Sequence, residues 1–359
     1  MYGKAFAPEY QGELGAELSV NSSYEDVLVA ARRVRDAAGT PGDAARAALA
    51  EAEAGRRLGR VAEAEDAWRA SYRSARAARD AGGMAWALWS GGTLARQRGR
   101  LALARRLLAA AVELADRGGD RLAHGYALAG LAETGRIQGD YEAVAALHEE
   151  LLAQARAHGE ARHMVWAMSG IAQMHRNKGE YGKALELFEE SVRIAEGADD
   201  VRGLAWSLRG VADVRSVLGA TEEALRLLSK GEELCRDLDL AGALAYNHKM
   251  RGNVLYRAGR YEEARAVYRG ALEEFRAMSE PRGSALARLG LVKSRARTGW
   301  PYDEVLAELD DVEREVTRIG LRHARDMVRA FRAELSAERT AVPAPGATTR
   351  RSPAVPARS

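Results

Sequence analysis

The chain has 359 residues and is rich in alanine, leucine, arginine and glutamate, which are among the best helix formers. Between residues 41 and 343 the only prolines are Pro281 and Pro301, so the composition predicts an all-helical protein. The formal net charge is +3, and the three arginines of residues 342–359 account for all of it. The remaining chain is balanced, which argues against sequence-independent nucleic-acid binding, because such binding needs a net positive field.

The N-terminal segment, residues 1–41, carries one predicted helix. Residues 22–37 read SSYEDVLVAARRVRDA, and the two serines suit a helix N-cap. Residues 1–18 lack a continuous apolar core, so no signal peptide is expected, and no run of about 18 uncharged apolar residues predicts a membrane span. Cys235 is the only cysteine, so no intramolecular disulfide can form. Together these features predict a cytoplasmic protein.

A glycine recurs at every fortieth position through most of the chain. The members of this series are Gly59, Gly99, Gly139, Gly179, Gly219, Gly259 and Gly299. An internal period of this size is typical of a solenoid. Glycine adopts the left-handed conformation at a helix end without steric cost. Each unit is therefore predicted to contain a helix A, a tight turn at the glycine, a helix B and a polar loop.

Small and bulky residues keep the same register as the turn glycines. Positions seven before and five after the turn glycine are mostly glycine or alanine, as at Ala172 and Ala184, which lets helices A and B approach closely. The position nine after the glycine is bulky in most units, as at Phe188 and Tyr268. Each unit therefore has the composition of one closely packed helical hairpin.

Two stretches show the whole frame: MSGIAQMHRNKGEYGKALELFEESVRIA at 168–195 and KMRGNVLYRAGRYEEARAVYRGALEEF at 249–275. The pattern resembles the tetratricopeptide repeat, in a 40-residue form, over about residues 42–318. The resemblance implies an all-α, right-handed α-solenoid of about seven helical hairpins. It also implies a scaffold for binding and no catalytic chemistry.

The ends of the solenoid are predicted to be capped, because each repeat buries only its neighbours. Residues 22–37 would cover the first hairpin, and the amphipathic residues 321–337 would cover the last. The solenoid with its C-terminal cap then spans residues 42–338. The tail, residues 339–359, is rich in proline and arginine and is predicted to be disordered.

Three columns of helix A share one face, because residues three, four and seven apart lie on the same side of a helix. The column thirteen positions before the turn glycine is aromatic: Trp86, Tyr126, Trp166, Trp206 and Tyr246. The column six before it is polar and includes Glu133, Gln173, Asp213 and Asn253. The column three before it starts with the arginine ladder Arg96, Arg136 and Arg176. In tetratricopeptide proteins this stripe lines the concave groove, so the resemblance makes these residues candidate ligand contacts.

Each column also has a purely structural explanation. The rings could belong to the core, and the arginines could face solvent or pair with Glu133 and Asp213. A fourth set lies on the same stripe in mid-helix, where glycine costs about 1 kcal/mol relative to alanine. Its members are Gly130, Gly170, Gly210 and Gly290. Close contact between neighbouring A helices is the favoured reason for them, and a deeper groove is the alternative.

The sequence predicts binding rather than catalysis. No catalytic residue, metal ion or cofactor is expected, since the seven histidines form no metal-ligating pair with a carboxylate. The predicted function is an adaptor or regulatory protein that holds a peptide or flexible protein segment in its concave groove. The arginine ladder favours an acidic segment or one with a free carboxylate.

The alternative is a sensor that binds a small signalling peptide or a metabolite in the same groove. An RNA-binding helical repeat and an enzyme have less support, and no membrane or nucleic-acid partner is expected. The sequence does not predict the oligomeric state.

Overall fold

The computed structural model describes residues 24–238 and 240–341, which contain α-helices and no strand. The sixteen helices of these residues are α1 (Tyr24–Asp36), α2 (Pro41–Arg57), α3 (Val61–Ala77), α4 (Ala81–Gln97), α5 (Leu101–Gly118), α6 (Arg121–Gln138), α7 (Tyr141–His158), α8 (Ala161–Asn177), α9 (Tyr181–Gly197), α10 (Val201–Val217), α11 (Thr221–Asp237), α12 (Ala241–Arg257), α13 (Tyr261–Ala277), α14 (Pro281–Arg297), α15 (Tyr302–Arg318) and α16 (Arg322–Ala341).

The helices from α2 to α15 form seven hairpins, and α1 and α16 cover the two ends. Each even-numbered helix packs against the next even-numbered helix, whereas no comparable contact joins consecutive odd-numbered helices in the described part of the chain. The even-numbered helices, which are the predicted A helices, therefore form the inner layer of a curved stack. The predicted all-α solenoid is confirmed.

Each turn glycine ends its helix A in the left-handed conformation, with φ between +70° and +88°. At Gly179 the amide donates to the Arg176 carbonyl at 3.1 Å, and the following amide, of Glu180, donates to the His175 carbonyl at 2.9 Å. These bonds satisfy carbonyl groups that the helix leaves unpaired at its end. The B helices α3, α5, α7, α9, α13 and α15 end in the same conformation, with Arg79, Asp199 and Ser279 in the left-handed position of three of them.

We expect Gly179→Val to lower the free energy of unfolding by about 1–2 kcal/mol, because a β-branched residue fits left-handed φ poorly. No atom lies within 4 Å of a Cβ added at Gly179, so the cost is conformational and not steric. The exposed neighbour Lys178 has ordinary helical φ, and Lys178→Val is the matched control. Urea unfolding of both variants makes the comparison. Equal stability of the two would show that Gly179 does not terminate α8.

The mid-helix glycines lie where bulky side chains of the preceding helix B press against helix A. A Cβ added at Gly210 would lie 2.3 Å from the ring of Phe188, and one at Gly290 would lie 2.3 Å from the ring of Tyr268. Gly130 meets Leu108 and Gly170 meets His148 in the same way. Close packing therefore explains this column, but the close neighbour is the preceding helix B and not, as expected, another helix A.

The solenoid curves far enough for its last helices to contact its early turns. Leu101 and Ile137, which belong to the first half of the chain, share a hydrophobic cluster with α14, α15 and α16. The ring of Tyr141 lies 6.3 Å from the ring of His323, measured between centroids. Arg282 of α14 reaches Glu133 of α6, with 3.6 Å between Nη1 and Oε1. Side chains from distant repeats therefore face each other across the concave surface.

Some expectations concern residues outside this description. The predicted N-cap serines, Ser22 and Ser23, and the predicted disordered tail from residue 342 onward lie outside the described residues. Helix α16 continues to Ala341, past the expected boundary at residue 338.

Candidate functional site

The aromatic column divides into a buried part and a half-buried part. Trp86 is 0% exposed, and its indole Nε1 donates to Asp120 Oδ2 at 2.8 Å. Tyr126 is 3% exposed and packs against Trp86 and Trp89, with ring centroids 5.1 Å away in both pairs. These two rings lie in the hydrophobic core and not on an open groove surface, in the same buried cluster as Trp89 and residues of α1.

The later rings of the same column, Trp166, Trp206 and Tyr246, are half-buried. The rings of Trp166 and Trp206 lie 6.4 Å apart in an edge-to-face arrangement. Arg162 lies over the Trp166 ring at 5.2 Å. The middle of the solenoid therefore presents aromatic surface with adjacent positive charge on its concave side.

The arginine ladder is engaged by acids of the polar column. Arg136 forms a bidentate pair with Glu133, with Nε at 2.6 Å and Nη2 at 2.7 Å from its two oxygens. Arg96 Nη1 lies 3.9 Å from the same carboxylate. Arg176 Nε lies 3.0 Å from Asp213 Oδ2. The sequence left open whether the ladder arginines pair with Glu133 and Asp213, and in the structure all three of them do.

The two acids keep their charge because of these cations. Burial would raise the pKa of Glu133, but Arg136, Arg282 and Arg96 hold that pKa well below its usual range. Burial likewise opposes the ionisation of Asp213, and Arg257 and Arg176 still lower its pKa. Both carboxylates are therefore ionised at neutral pH.

The two uncharged members of the polar column bond within the protein. Gln173 Nε2 donates to Asn177 Oδ1 at 3.1 Å, and Asn253 Oδ1 accepts from the Tyr268 hydroxyl at 2.7 Å. Both residues are half-buried.

Two further columns complete the concave stripe, and sequence reasoning missed them. The column 17 before the turn glycine contains Arg162, Arg202 and Arg282, and the column ten before it contains Arg209 and Lys249. The spacing of the residues could have identified them. The five columns follow each other at steps of four, three, four and three residues, so they share one face of helix A. These columns make the stripe more positive than the ladder alone.

Two members of the first column, Arg162 and Arg202, form a cationic cluster with Arg56 and Arg57 of α2. Arg162 Nη1 donates to both oxygens of Asp200 at 2.7 Å. Arg202 makes no hydrogen bond or ion pair to the described residues. Burial, followed by the repulsion of Arg57, lowers the pKa of Arg202 to about 9. An unpaired guanidinium in such surroundings favours the approach of an anion.

Two histidines are buried without charge at the centre of the stack. His148 is 4% exposed, and burial lowers its pKa to about 4. His163 is 1% exposed, lies 2.8 Å from Glu160 Oε2 through Nδ1, and has its pKa lowered to about 3 by burial and by Arg162. Both pKa values lie below the ordinary value of 6.5, so acid favours the unfolded chain, in which both rings can take up a proton.

We therefore expect the unfolding free energy to fall as the pH drops from about 6.5 towards 5. Each of the two histidines contributes about 1.4 kcal/mol per pH unit once its unfolded form is protonated. His148→Leu should reduce this slope by about 1.4 kcal/mol per pH unit, the contribution of one proton. Leucine is the chosen replacement because it occupies the equivalent position 108. The exposed His158, changed to leucine, is the control and should leave the slope unchanged. Urea titrations at several pH values measure the slope, and equal slopes for all three proteins would contradict the assignment.

No metal or membrane feature was found in the described residues. They contain no group of three or more histidine, cysteine, aspartate and glutamate side chains that could hold a metal ion. Cys235 is buried, and burial raises the pKa of its thiol. None of the described helices is long and apolar enough to cross a bilayer.

A family model for the tetratricopeptide repeat matches residues 163–237, which include α8 to α11. No curated protein sequence matches the chain. Among solved structures, NprR in complex with its cognate peptide NprX is 16% identical, with a TM-score of 0.59 over 83% of this chain and 82% of that one. A Rap protein complexed with Competence and Sporulation Factor is 12% identical, with a TM-score of 0.57 over 80% of each chain.

A third solved structure is the Pyrococcus horikoshii STAND protein with a tetratricopeptide repeat sensor, PH0952. It is 12% identical, with a TM-score of 0.50 over 88% of this chain and 54% of that one. These likenesses establish the fold. Residues 163–237 therefore match the tetratricopeptide repeat family, and the described chain has the fold of a helical-repeat solenoid.

Proposed function

We propose that this protein is a cytoplasmic, non-enzymatic regulatory scaffold whose concave groove holds a peptide or a flexible protein segment. The bound segment is acidic or ends in a free carboxylate. The contacts are made chiefly by Trp166, Trp206 and Tyr246 and by the cations beside them.

The observation that carries the proposal is the row of three half-buried rings on the concave stripe. Trp86 and Tyr126 occupy the same column but are sealed in the core, so the column is not buried by its position alone. Rings that remain accessible beside arginines are common anchors for a bound partner. Packed helices lie roughly 8–10 Å apart and an extended peptide rises about 3.3 Å per residue, so successive rings would meet about every third ligand residue.

The comparisons support a peptide over other ligands. The NprR structure contains a cognate peptide, and the Rap structure contains Competence and Sporulation Factor. A sensor that takes a small signalling peptide is therefore a variant of the same proposal. A metabolite in the groove remains the alternative and lacks such support.

The arginine ladder has a supporting part in this proposal. Because Arg96 and Arg136 share Glu133, and Arg176 engages Asp213, these arginines offer their remaining donors to a ligand and hold both acids in place. The two carboxylates disfavour strongly basic segments. Gln173 and Asn253 lie on the same stripe and would bond to the ligand backbone.

The test is a partner captured from native cell lysate and then titrated by calorimetry. Trp206→Ala should weaken binding at least tenfold, because the ring supplies an apolar contact in the groove. The matched control is Trp300→Ala, which removes a ring that is 36% exposed and lies over Arg295 between α14 and α15. If Trp206→Ala bound the captured partner with unchanged affinity, the binding site would not lie on the concave stripe.

A further inference from the structure

Three cations from three different helices meet around the ring of Tyr246. Arg209 of α10 and Lys249 of α12 occupy the same column in consecutive repeats. Arg209 Cζ lies 5.7 Å from the Tyr246 ring centroid, and Arg282 Cζ of α14 lies 5.6 Å from it. The ring therefore contacts two guanidinium groups, and both of these repel the ammonium group of Lys249, which lies three residues further along α12.

The acids near these cations are already shared among other groups. Arg209 and Lys249 make no hydrogen bond or ion pair to residues 24–238 and 240–341. Arg282 reaches Glu133, but that carboxylate also engages Arg136 and Arg96.

Asp213, the acid that attracts Lys249, lies 2.8 Å from Arg257 and 3.0 Å from Arg176. The Tyr246 hydroxyl donates to Glu280 at 3.1 Å, and burial raises the pKa of that carboxyl. The cluster consequently has more positive than negative charge in a half-buried setting.

We propose that Arg209, Lys249 and Arg282, arranged around Tyr246, form a subsite for a doubly charged oxyanion of the ligand. Guanidinium groups bind such oxyanions through paired hydrogen bonds, and the ring keeps both guanidiniums oriented. A single carboxylate would neutralise only one of the three cations, whereas a phosphoryl group or two adjacent carboxylates would neutralise two. This inference rests on the proposed function for its setting, since it identifies the part of the groove ligand that is recognised there.

Occupancy of this subsite should be coupled to proton uptake. Burial, together with the repulsion of Arg282, Arg209 and Arg257, lowers the pKa of Lys249 to about 7 against the attraction of Asp213. The charged groups that act most strongly on Lys249 therefore come from α10, α12 and α14. An oxyanion stabilises the ammonium form, so binding takes up a proton near pH 7 and affinity falls as the pH rises above 7.

The experiment uses the full chain and inorganic phosphate as the probe, at constant ionic strength. The six lysines are reductively methylated with carbon-13, and their NMR signals are followed through a pH titration. Lys249→Arg identifies the Lys249 signal. We expect that signal to titrate near pH 7 without phosphate and at least one pH unit higher with saturating phosphate, while phosphate leaves the signals of the exposed Lys178 and Lys183 unchanged. A Lys249 signal that titrates with the exposed lysines, or that phosphate does not shift, would overturn the proposal.

A matched pair of variants locates the effect. Arg209→Gln should raise at least tenfold the phosphate concentration that produces half of the Lys249 pKa shift. Arg269→Gln, on the exposed face of α13, should leave that concentration unchanged. A phosphoserine peptide and a peptide with two adjacent glutamates then distinguish the two sources of the oxyanion. If neither shows competition with phosphate, the subsite assignment is wrong.

This outcome is separable from failure of the proposed function. A captured partner that binds Arg209→Gln as well as wild type, but fails to bind Trp206→Ala, would leave the groove proposal intact and overturn the subsite.

Discussion

Gly210→Val is expected to lower the free energy of unfolding by about 3 kcal/mol or more, because it overpacks the core. A Cβ at this position of α10 would lie 2.3 Å from Cε1 of Phe188, whose side chain is buried, with 3% exposed. Overpacking of a core typically costs about 1–3 kcal/mol, and a branched side chain against a buried ring belongs at the upper end or beyond. Urea unfolding measures the change.

The chain offers a matched control for Gly210→Val. Gly270 also lies in mid-helix, in α13, but no atom lies within 4 Å of a Cβ added there. Gly270→Val should be neutral or stabilise by a few tenths of a kcal/mol, because valine is the better helix former of the two. Phe188→Leu should recover part of the loss when combined with Gly210→Val, as a positive coupling in a double-mutant cycle. Equal effects at positions 210 and 270 would contradict the packing explanation.

Arg136→Gln is expected to lower the unfolding free energy by about 2 kcal/mol, because it leaves a buried carboxylate less well satisfied. The guanidinium holds Glu133 through two hydrogen bonds, and both side chains are less than one-fifth exposed. Removing one partner of a buried ion pair leaves the other charge without compensation, which costs more than an exposed pair contributes. Arg282 and Arg96 remain near Glu133 and limit the loss. Urea unfolding again measures it.

The control for Arg136→Gln is an exposed pair within one helix. Arg117 and Glu113 of α5 are 70% and 69% exposed, so Arg117→Gln should change stability by less than about 0.5 kcal/mol. A loss at Arg136 no larger than the loss at Arg117 would mean that the ladder is a solvated face. If the larger loss is observed, ladder variants are poor tests of binding, and Trp206 and Lys249 are the better positions.

Most of the fold was predictable because the repeat unit is local. The left-handed φ of a turn glycine such as Gly179 depends only on the end of its own helix. The need for a glycine at position 210 depends only on Phe188 of the adjacent hairpin. These relationships recur from one repeat to the next, so they are visible in one sequence. The Arg79, Asp199 and Ser279 turns were less visible, because no glycine marks them.

The groove was harder to predict because its composition depends on curvature. Trp86 and Trp206 occupy the same column, yet Trp86 is buried in the cluster that includes Trp89, and Trp206 is half-buried. Glu133 meets Arg282 only because the stack bends until α6 and α14 face each other. A periodic pattern gives the face of a helix but not the angle between distant repeats, so the pairing of the ladder and the Tyr246 cluster could not be derived from spacing.

The central claim is that the ligand lies on the concave stripe. A photo-reactive phenylalanine derivative introduced at position 206 tests it, because the aromatic replacement preserves a ring in the groove. The same derivative at position 226 is the control, since Arg226 is exposed on α11 in the outer layer. After irradiation in native lysate, we expect a cross-link to the captured partner from position 206 and none from position 226. A cross-link from position 226 alone would contradict it.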